Sequence, residues 1–126
     1  DNENFVDNFM AMEKWLNDNI PVAGEVFREF VKYCYQENLL VENRLRIDGK
    51  LVDLKEIKCS VLNLIAEHDH LTPPKSSTIF NKLISSEDNE TIIYPCGHIG
   101  LSVSSRSLRD LWPRVADWLI KRSKSN

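Results

Sequence analysis

Two short clusters hold the residue types that could do chemistry: Glu67-His68-Asp69-His70 and Cys96-Gly97-His98-Ile99-Gly100. An aspartate bonded to one imidazole nitrogen fixes the ring's tautomer and leaves the other nitrogen able to take a proton from a nucleophile. Asp69 and His98 are therefore read as the acid and the base of a nucleophile–His–acid apparatus. The glycines around His98 are expected to let the backbone turn sharply and to give the ring room. His68-x-His70 has the look of a metal pair, but zinc needs at least a third ligand, so no metal is expected.

Those clusters need elements to position them. Val61-Leu62-Asn63-Leu64-Ile65-Ala66 is an almost wholly apolar run, which predicts a strand buried on both faces of a parallel sheet. Thr91-Ile92-Ile93-Tyr94 predicts a second strand. Between them, Thr72 is expected to cap a helix that begins at Pro73 and turns Ile79, Phe80, Leu83 and Ile84 inward. After the second cluster a last helix is expected to run to about Lys121, with Pro113 in its first turn. Leu111, Val115, Trp118 and Leu119 would face the sheet, and Leu108 would sit in a short preceding turn. The result is a β-α-β-loop-α unit with right-handed crossovers. In open α/β sheets, functional groups gather beyond the carboxyl ends of the strands, which is where both clusters fall. Neighbouring strands lie about 4.8 Å apart, so their end loops can bring a carboxylate to an imidazole.

The first third of the chain has a different period. Phe5, Phe9, Met12 and Leu16 share one helix face, and Asn17 to Pro21 breaks it. A second helix follows, with Val22, Val26, Phe30, Tyr33 and Cys34 on its apolar stripe and Gly24 weakening it slightly. Trp15, Phe27, Phe30 and Tyr33 are read as helix packing, with dimerisation or partner docking as the other use of that surface. Asp48-Gly49, flanked by Leu45, Ile47, Leu51 and Leu54, predicts a short hairpin with a type I′ turn. Residues 1–42 thus form a helical segment, 43–54 a hairpin connection and 53–126 an α/β unit.

Composition excludes several classes. The 16 basic and 19 acidic residues are well mixed, with a formal net charge of −3, so no concentrated basic face for nucleic acid is present. No apolar run approaches the roughly 20 residues of a membrane span, and no signal-peptide pattern opens the chain. Three cysteines without C-x-x-C spacing speak against a disulfide scaffold or zinc site and for a reducing, cytoplasmic compartment. Cys34 and Cys59 are read as small buried apolar residues. Arg106, Arg109, Lys121, Arg122 and Lys124 are read as a solvated helix surface, and the tail from Lys121 to Asn126 as frayed.

Acid then histidine, each at a strand end, is the chain order of the α/β-hydrolases, in which the nucleophile comes first on a G-x-S-x-G elbow or its cysteine equivalent. The chain's four glycines, Gly24, Gly49, Gly97 and Gly100, frame no serine or cysteine in that way. Cys96 therefore lacks the elbow that a nucleophile needs. The nucleophile is expected upstream of Asp1, and the start at Asp1 rather than at methionine suits a fragment. Such a slice of parallel sheet would leave an edge for further strands to cover, so poor folding in isolation is expected.

The chain also resembles the polyhydroxyalkanoate synthases, specifically the short, two-subunit kind (class III, and the related class IV). The resemblance rests on Met12-Glu13-Lys14-Trp15, Ala23-Gly24-Glu25-Val26-Phe27-Arg28-Glu29-Phe30, Val52-Asp53-Leu54-Lys55-Glu56-Ile57, Ala66-Glu67-His68-Asp69-His70-Leu71-Thr72-Pro73-Pro74 and Gly97-His98-Ile99-Gly100. It implies a C-terminal portion of an α/β-hydrolase fold preceded by the helical end of a cap. It also implies a Cys–His–Asp triad that polymerises 3-hydroxyacyl units from coenzyme A, the coenzyme being a leaving group and no cofactor being required. His98 would be the general base, Asp69 would orient it or help activate the substrate hydroxyl, and His70 would shape the pocket. The basic residues of the last helix have contact with coenzyme A phosphates as a second reading. The implied partners are 3-hydroxyacyl-coenzyme A, the growing polyester, a second synthase subunit and a homodimer mate through the cap, and the implied place is the surface of polyester granules. The chain departs from the family in lacking the nucleophilic cysteine and in carrying Cys96 where glycine is usual. An esterase or depolymerase with a serine nucleophile, a non-catalytic interaction module and an inactive paralogue stay open as alternatives.

Overall fold

The computed structural model describes residues 2–123, and Lys124 and the rest of the predicted tail lie outside them. The chain divides into two units, residues 1–39 and residues 40–126.

The first unit is helical. α1 spans Asn2–Asn17 and α2 spans Gly24–Phe30, which runs on without a break into a π-helical turn, Val31–Gln36. α1 ends where its side-chain amides take over its own carbonyls: Asn17 Nδ2 donates to Glu13 O at 2.8 Å and Asn19 Nδ2 to Leu16 O at 3.1 Å. Those oxygens would otherwise lack partners at a helix end. Gly24 is the first residue of α2 rather than an interior one. The aromatic stripe is only partly packed: Trp15, Phe27 and Phe30 are exposed, Phe27 by 62%, whereas Tyr33 is half-buried. A helical stripe is buried only where an opposing apolar face covers it.

The second unit opens with the hairpin β1 (Arg46–Ile47) and β2 (Lys50–Leu51), paired Arg46↔Leu51 and Ile47↔Lys50. Asp48 and Gly49 have φ of 49° and 71°, the left-handed pair that a type I′ turn requires. A 3₁₀ turn follows at Leu54–Glu56, its start held by Asp53, whose carboxylate accepts from Lys55 N at 2.9 Å.

β3 (Val61–Ala66) and β4 (Asn89–Tyr94) then pair in parallel, residue for residue, from Val61↔Asn89 to Ala66↔Tyr94. β4 starts two residues before the predicted Thr91. Its polar opening is accommodated because Asn89 accepts from Asn81 Nδ2 and donates to Ser86 O. Only Ile65 and Ala66 of β3 are fully buried, so the strand is less enclosed than its apolar run predicted.

The crossover helix differs from expectation in two ways. It begins one residue later than predicted and is split into α3 (Pro74–Thr78) and α4 (Phe80–Leu83). Asn63, in the middle of β3, explains the split: its Nδ2 donates to Ser77 O at 2.9 Å and to Asn81 Oδ1 at 2.8 Å. A carbonyl at the break is thus engaged by the strand. Ile84 lies past the helix in extended backbone.

The opposite face of β3 meets the C-terminal helices. Because side chains alternate along a strand, Leu62 and Leu64 face away from Asn63. They pack with Ile92, Cys96 and Leu101 against a cluster of Tyr94, Leu111 and Val115. α5 (Gly100–Val103), a π-helical segment (Ser107–Leu111) and α6 (Trp112–Arg122) supply that layer, with Pro113 in the first turn of α6. Leu111 is fully buried, whereas Leu108 and Leu119 are exposed. The inward stripe runs through 111, 115, 118 and 122, so Arg122 takes the fourth place and Leu119 falls off the face.

Arg122 is accordingly not a solvated side chain. Its Nε donates to Asp88 Oδ2 at 2.5 Å, and its Nη2 donates to Asp88 Oδ1 at 2.6 Å and to Glu90 Oε1 at 3.0 Å. The guanidinium also stacks 3.9 Å from the Trp118 ring. This fork, led by the Arg122 bonds with Ser60 second, lowers the Asp88 carboxyl to about 2. Arg109, by contrast, is exposed and pairs with its neighbour Asp110. Cys59 is exposed in the bend before β3 rather than buried, and Cys34 is half-buried. Among the described residues no helix is long and apolar enough to cross a membrane.

Candidate active site

The parallel ladder does not stop at Ala66 and Tyr94. Glu67 N donates to Tyr94 O at 2.8 Å and His68 N to Cys96 O at 3.0 Å, so the two loops begin tied together. Asp69 stands three residues past Ala66 and His98 four past Tyr94. From there their side chains meet: His98 Nδ1 lies 2.7 Å from Asp69 Oδ2.

The other carboxylate oxygen is held by backbone. Asp69 Oδ1 accepts from Leu71 N at 2.9 Å and from Thr72 N at 2.7 Å. This is an aspartate turn, and it places Thr72 differently from its predicted role as a helix cap: the side chain of Asp69 caps the loop, and Thr72 contributes its amide. These bonds, the Thr72 amide foremost, hold the Asp69 carboxyl below the usual carboxylate value; burial opposes them, and His98 and Leu71 add to them. The side chain of Asp69 is only 8% exposed and that of His98 is 48% exposed. An ionised Asp69 accepts the Nδ1 proton, which leaves Nε2 with its lone pair. Among the described residues nothing hydrogen-bonds Nε2. In this arrangement Nε2 is the nitrogen able to accept a proton.

A depression of about 240 Å³ opens at this pair, and Thr72, Ser77, Leu101 and Ser102 line it with Asp69 and His98. A larger hollow of about 450 Å³ lies between β4 and α6, among Glu90, Arg114, Asp117, Trp118, Lys121 and Arg122. Its charges are mixed in sign and it contains no acid–imidazole couple, so the smaller depression is the chemical candidate. His70 and His68 are exposed, and neither lines that depression. No group of three or more His, Cys, Asp or Glu side chains is arranged to hold a metal among the described residues.

The glycines beside His98 act otherwise than predicted. Gly97 and Gly100 both have backbone conformations open to any residue. A Cβ at Gly97 would meet His68 O at an ordinary 3.9 Å, whereas one at Gly100 would lie 3.4 Å from Cys96 Cβ. Cys96 lies in van der Waals reach of position 100, and neither glycine takes the left-handed backbone that a sharp glycine turn would use. Burial pushes the Cys96 thiol above its usual value, with a bond to Ser107 opposing. A raised thiol is a poor nucleophile.

Sequence reading missed the serines behind this loop. Ser104 is extended at the start of the last helical run, and its Oγ accepts from Ser107 N at 3.0 Å, the bond of an N-cap to the third helical residue. Ser107 Oγ donates to Gly100 O at 2.7 Å. The Ser104-x-x-Ser107 spacing is the signal that would have exposed the cap.

No protein-family model and no solved structure matches the chain. Curated proteins do. The chain is 52% identical over 125 residues to the poly(3-hydroxyalkanoate) polymerase subunit PhaC of Haloferax mediterranei, covering 99% of this chain and 25% of that one. It is 53% identical over 123 residues to the subunit of Haloarcula marismortui, at 98% and 26%. The chain matches the poly(3-hydroxyalkanoate) polymerase subunits. The PhaC subunit of Allochromatium vinosum adds 42% identity over 122 residues, at 97% of this chain and 34% of that one. The chain thus spans about a quarter to a third of the length of these PhaC relatives. An alignment over 125 of 126 residues takes in both the Asp69 and the His98 loops.

Proposed function

We propose that this chain is the acid–base part of a polyester synthase of α/β-hydrolase type, acting with a cysteine nucleophile on an upstream stretch of the intact protein. One observation carries the reading: an aspartate–imidazole couple at 2.7 Å, set beyond the carboxyl ends of two parallel strands, in a chain that matches polymerase subunits. His98 Nε2 takes the proton of the cysteine thiol. The thiolate attacks the thioester carbon of a 3-hydroxyacyl-coenzyme A, the new carbon–sulfur bond forms, and coenzyme A leaves with the proton. The hydroxyl of an acyl unit then attacks an acyl thioester, His98 accepts its proton, an ester bond forms and a thiol is released. Asp69 keeps Nδ1 protonated throughout and stabilises the imidazolium. No cofactor enters, because coenzyme A is the leaving group. The low exposure of Asp69 and the higher exposure of His98 suit those roles. A second subunit, a homodimer mate and residence at polyester granules belong to the same reading.

The test is a graft. This chain replaces the matching 125 residues of the Haloferax mediterranei subunit, and coenzyme A release from 3-hydroxybutyryl-coenzyme A is followed with polymer yield. The graft is expected to polymerise, and its His98→Ala form to lose activity by about 10³-fold or more. A folded, active graft that is indifferent to His98→Ala would overturn the assignment. The unmodified relative serves as the positive control.

A further inference from the structure

Ser107 is the most completely buried polar residue described, with no exposed surface, and nothing in the acid–base chemistry uses it. Its hydroxyl donates to Gly100 O at 2.7 Å and accepts from Ser104 Oγ, also at 2.7 Å. Its own amide returns the contact to Ser104 Oγ at 3.0 Å. Gly100 lies two residues after His98 and begins α5, while Cys96, two residues before His98, packs its Cβ against the place where a Gly100 side chain would be. Both ends of the His98 turn are therefore gathered at Gly100, and Ser107 fastens Gly100 to the helical layer. That layer is firm at this point, since Leu111, one helical turn on, is also fully buried.

We infer that Ser107 is a positioning residue for His98, setting the imidazole against Asp69 through the Gly100 carbonyl. The mechanism is geometric. The 2.7 Å bond from His98 to Asp69 needs the ring held on its carboxylate side, yet the ring itself is half exposed and no second described group grips it. The restraint then comes from the backbone of the turn, which Leu101 N fastens at Gly97 O (3.2 Å) and which Ser107, among the described residues, anchors through a buried side chain. Gly100 O also accepts from Ser104 N at 3.2 Å, so losing the Ser107 hydroxyl removes the shorter of its two bonds and loosens the turn from the helical layer. The structural part stands on these contacts alone, whereas the catalytic consequence rests on the role proposed for His98 above.

The experiment compares Ser107→Ala with Ser86→Ala. Ser86 is a matched control: it is buried, donates to Asp88 O at 3.1 Å, and lies by the opposite end of the sheet. Nitrogen-15 and proton spectra of the histidines in the full chain report the His98 Nδ1–H bond without reference to activity. Ser107→Ala is expected to shift and broaden that resonance, and Ser86→Ala to leave it in place. In the grafted polymerase, Ser107→Ala is expected to lower kcat by about 10- to 100-fold with KM little changed, the scale of a misplaced catalytic group. Ser107→Cys keeps the volume and weakens the donor, and carries the same expectation in direction if the alanine variant does not fold. The inference is overturned if the Nδ1–H resonance of a folded Ser107 variant matches the wild type, or if Ser86→Ala moves it equally. A shifted resonance with unchanged kcat would leave the positioning intact and instead sink the role assigned to His98.

Discussion

The Asp69 carboxylate does two jobs with two oxygens. Oδ1 is spent on the amides of Leu71 and Thr72, and Oδ2 on His98. Replacing it with asparagine keeps the shape but lets the amide present N–H to the ring, so the imidazole can reverse its tautomer. Asp69→Asn in the graft is expected to lower kcat by about 10⁴-fold while the fold survives, as checked by rate and thermal midpoint. The pH dependence has a definite sign. The folded carboxyl lies below its ordinary 3.8, so its stabilising bonds are complete above that pH and disappear as the pH falls through the depressed folded value. The Nδ1–H resonance of His98 should therefore persist on acidification below pH 3.8, and its loss above that pH would contradict the hydrogen-bond account. Both residues were legible in the sequence because acid and base types sit at strand ends with turn formers around them. The grip on Oδ1 was not, because backbone amides have no sequence signature, and Thr72 was read for its hydroxyl.

At the scale of elements, β3, the hairpin turn and the first part of the last helix's inward face, Leu111, Val115 and Trp118, were legible, because each rests on local pattern alone. The break between α3 and α4 was not. It depends on Asn63 reaching across to Ser77 O, a contact 14 residues apart that no window of local sequence contains. Arg122 was misread for the same reason, since its partners Asp88 and Glu90 lie more than 30 residues away. Two predictions belong here. Leu111→Ala is expected to cost about 2–5 kcal/mol by denaturant unfolding, since it empties a fully enclosed site. Acid unfolding should carry a component from the Arg122–Asp88 fork. With the Asp88 carboxyl lowered from 3.8 to about 2, its contribution is whole above pH 3.8 and is lost as the pH drops through about 2. Asp88→Asn should remove that component from the pH profile of the melting temperature.

Considered whole, the molecule sets an α/β unit in the same chain as a helical one in which Trp15, Phe27 and Phe30 stay exposed. Patterning showed which residues of α1 and α2 share a face, but it could not show how far that face is exposed, because amphipathicity does not say what lies opposite. For the α/β unit the reverse held: chain order and strand ends were enough to bring Asp69 and His98 together, and their 2.7 Å meeting follows from the parallel register.

That register has a consequence for how the chain can vary. Asp69 and His98 are 29 residues apart, but the distance between their side chains is set only by the overhangs of three and four residues past the last paired rung. The stretch from α3 to the start of β4 runs between fixed ends, so its length sets the residue count without entering either overhang. One residue added between Ala66 and Asp69, or between Tyr94 and His98, would instead rotate one side chain of the couple away from its mate. The two overhangs are thus the places where even a single insertion is forbidden.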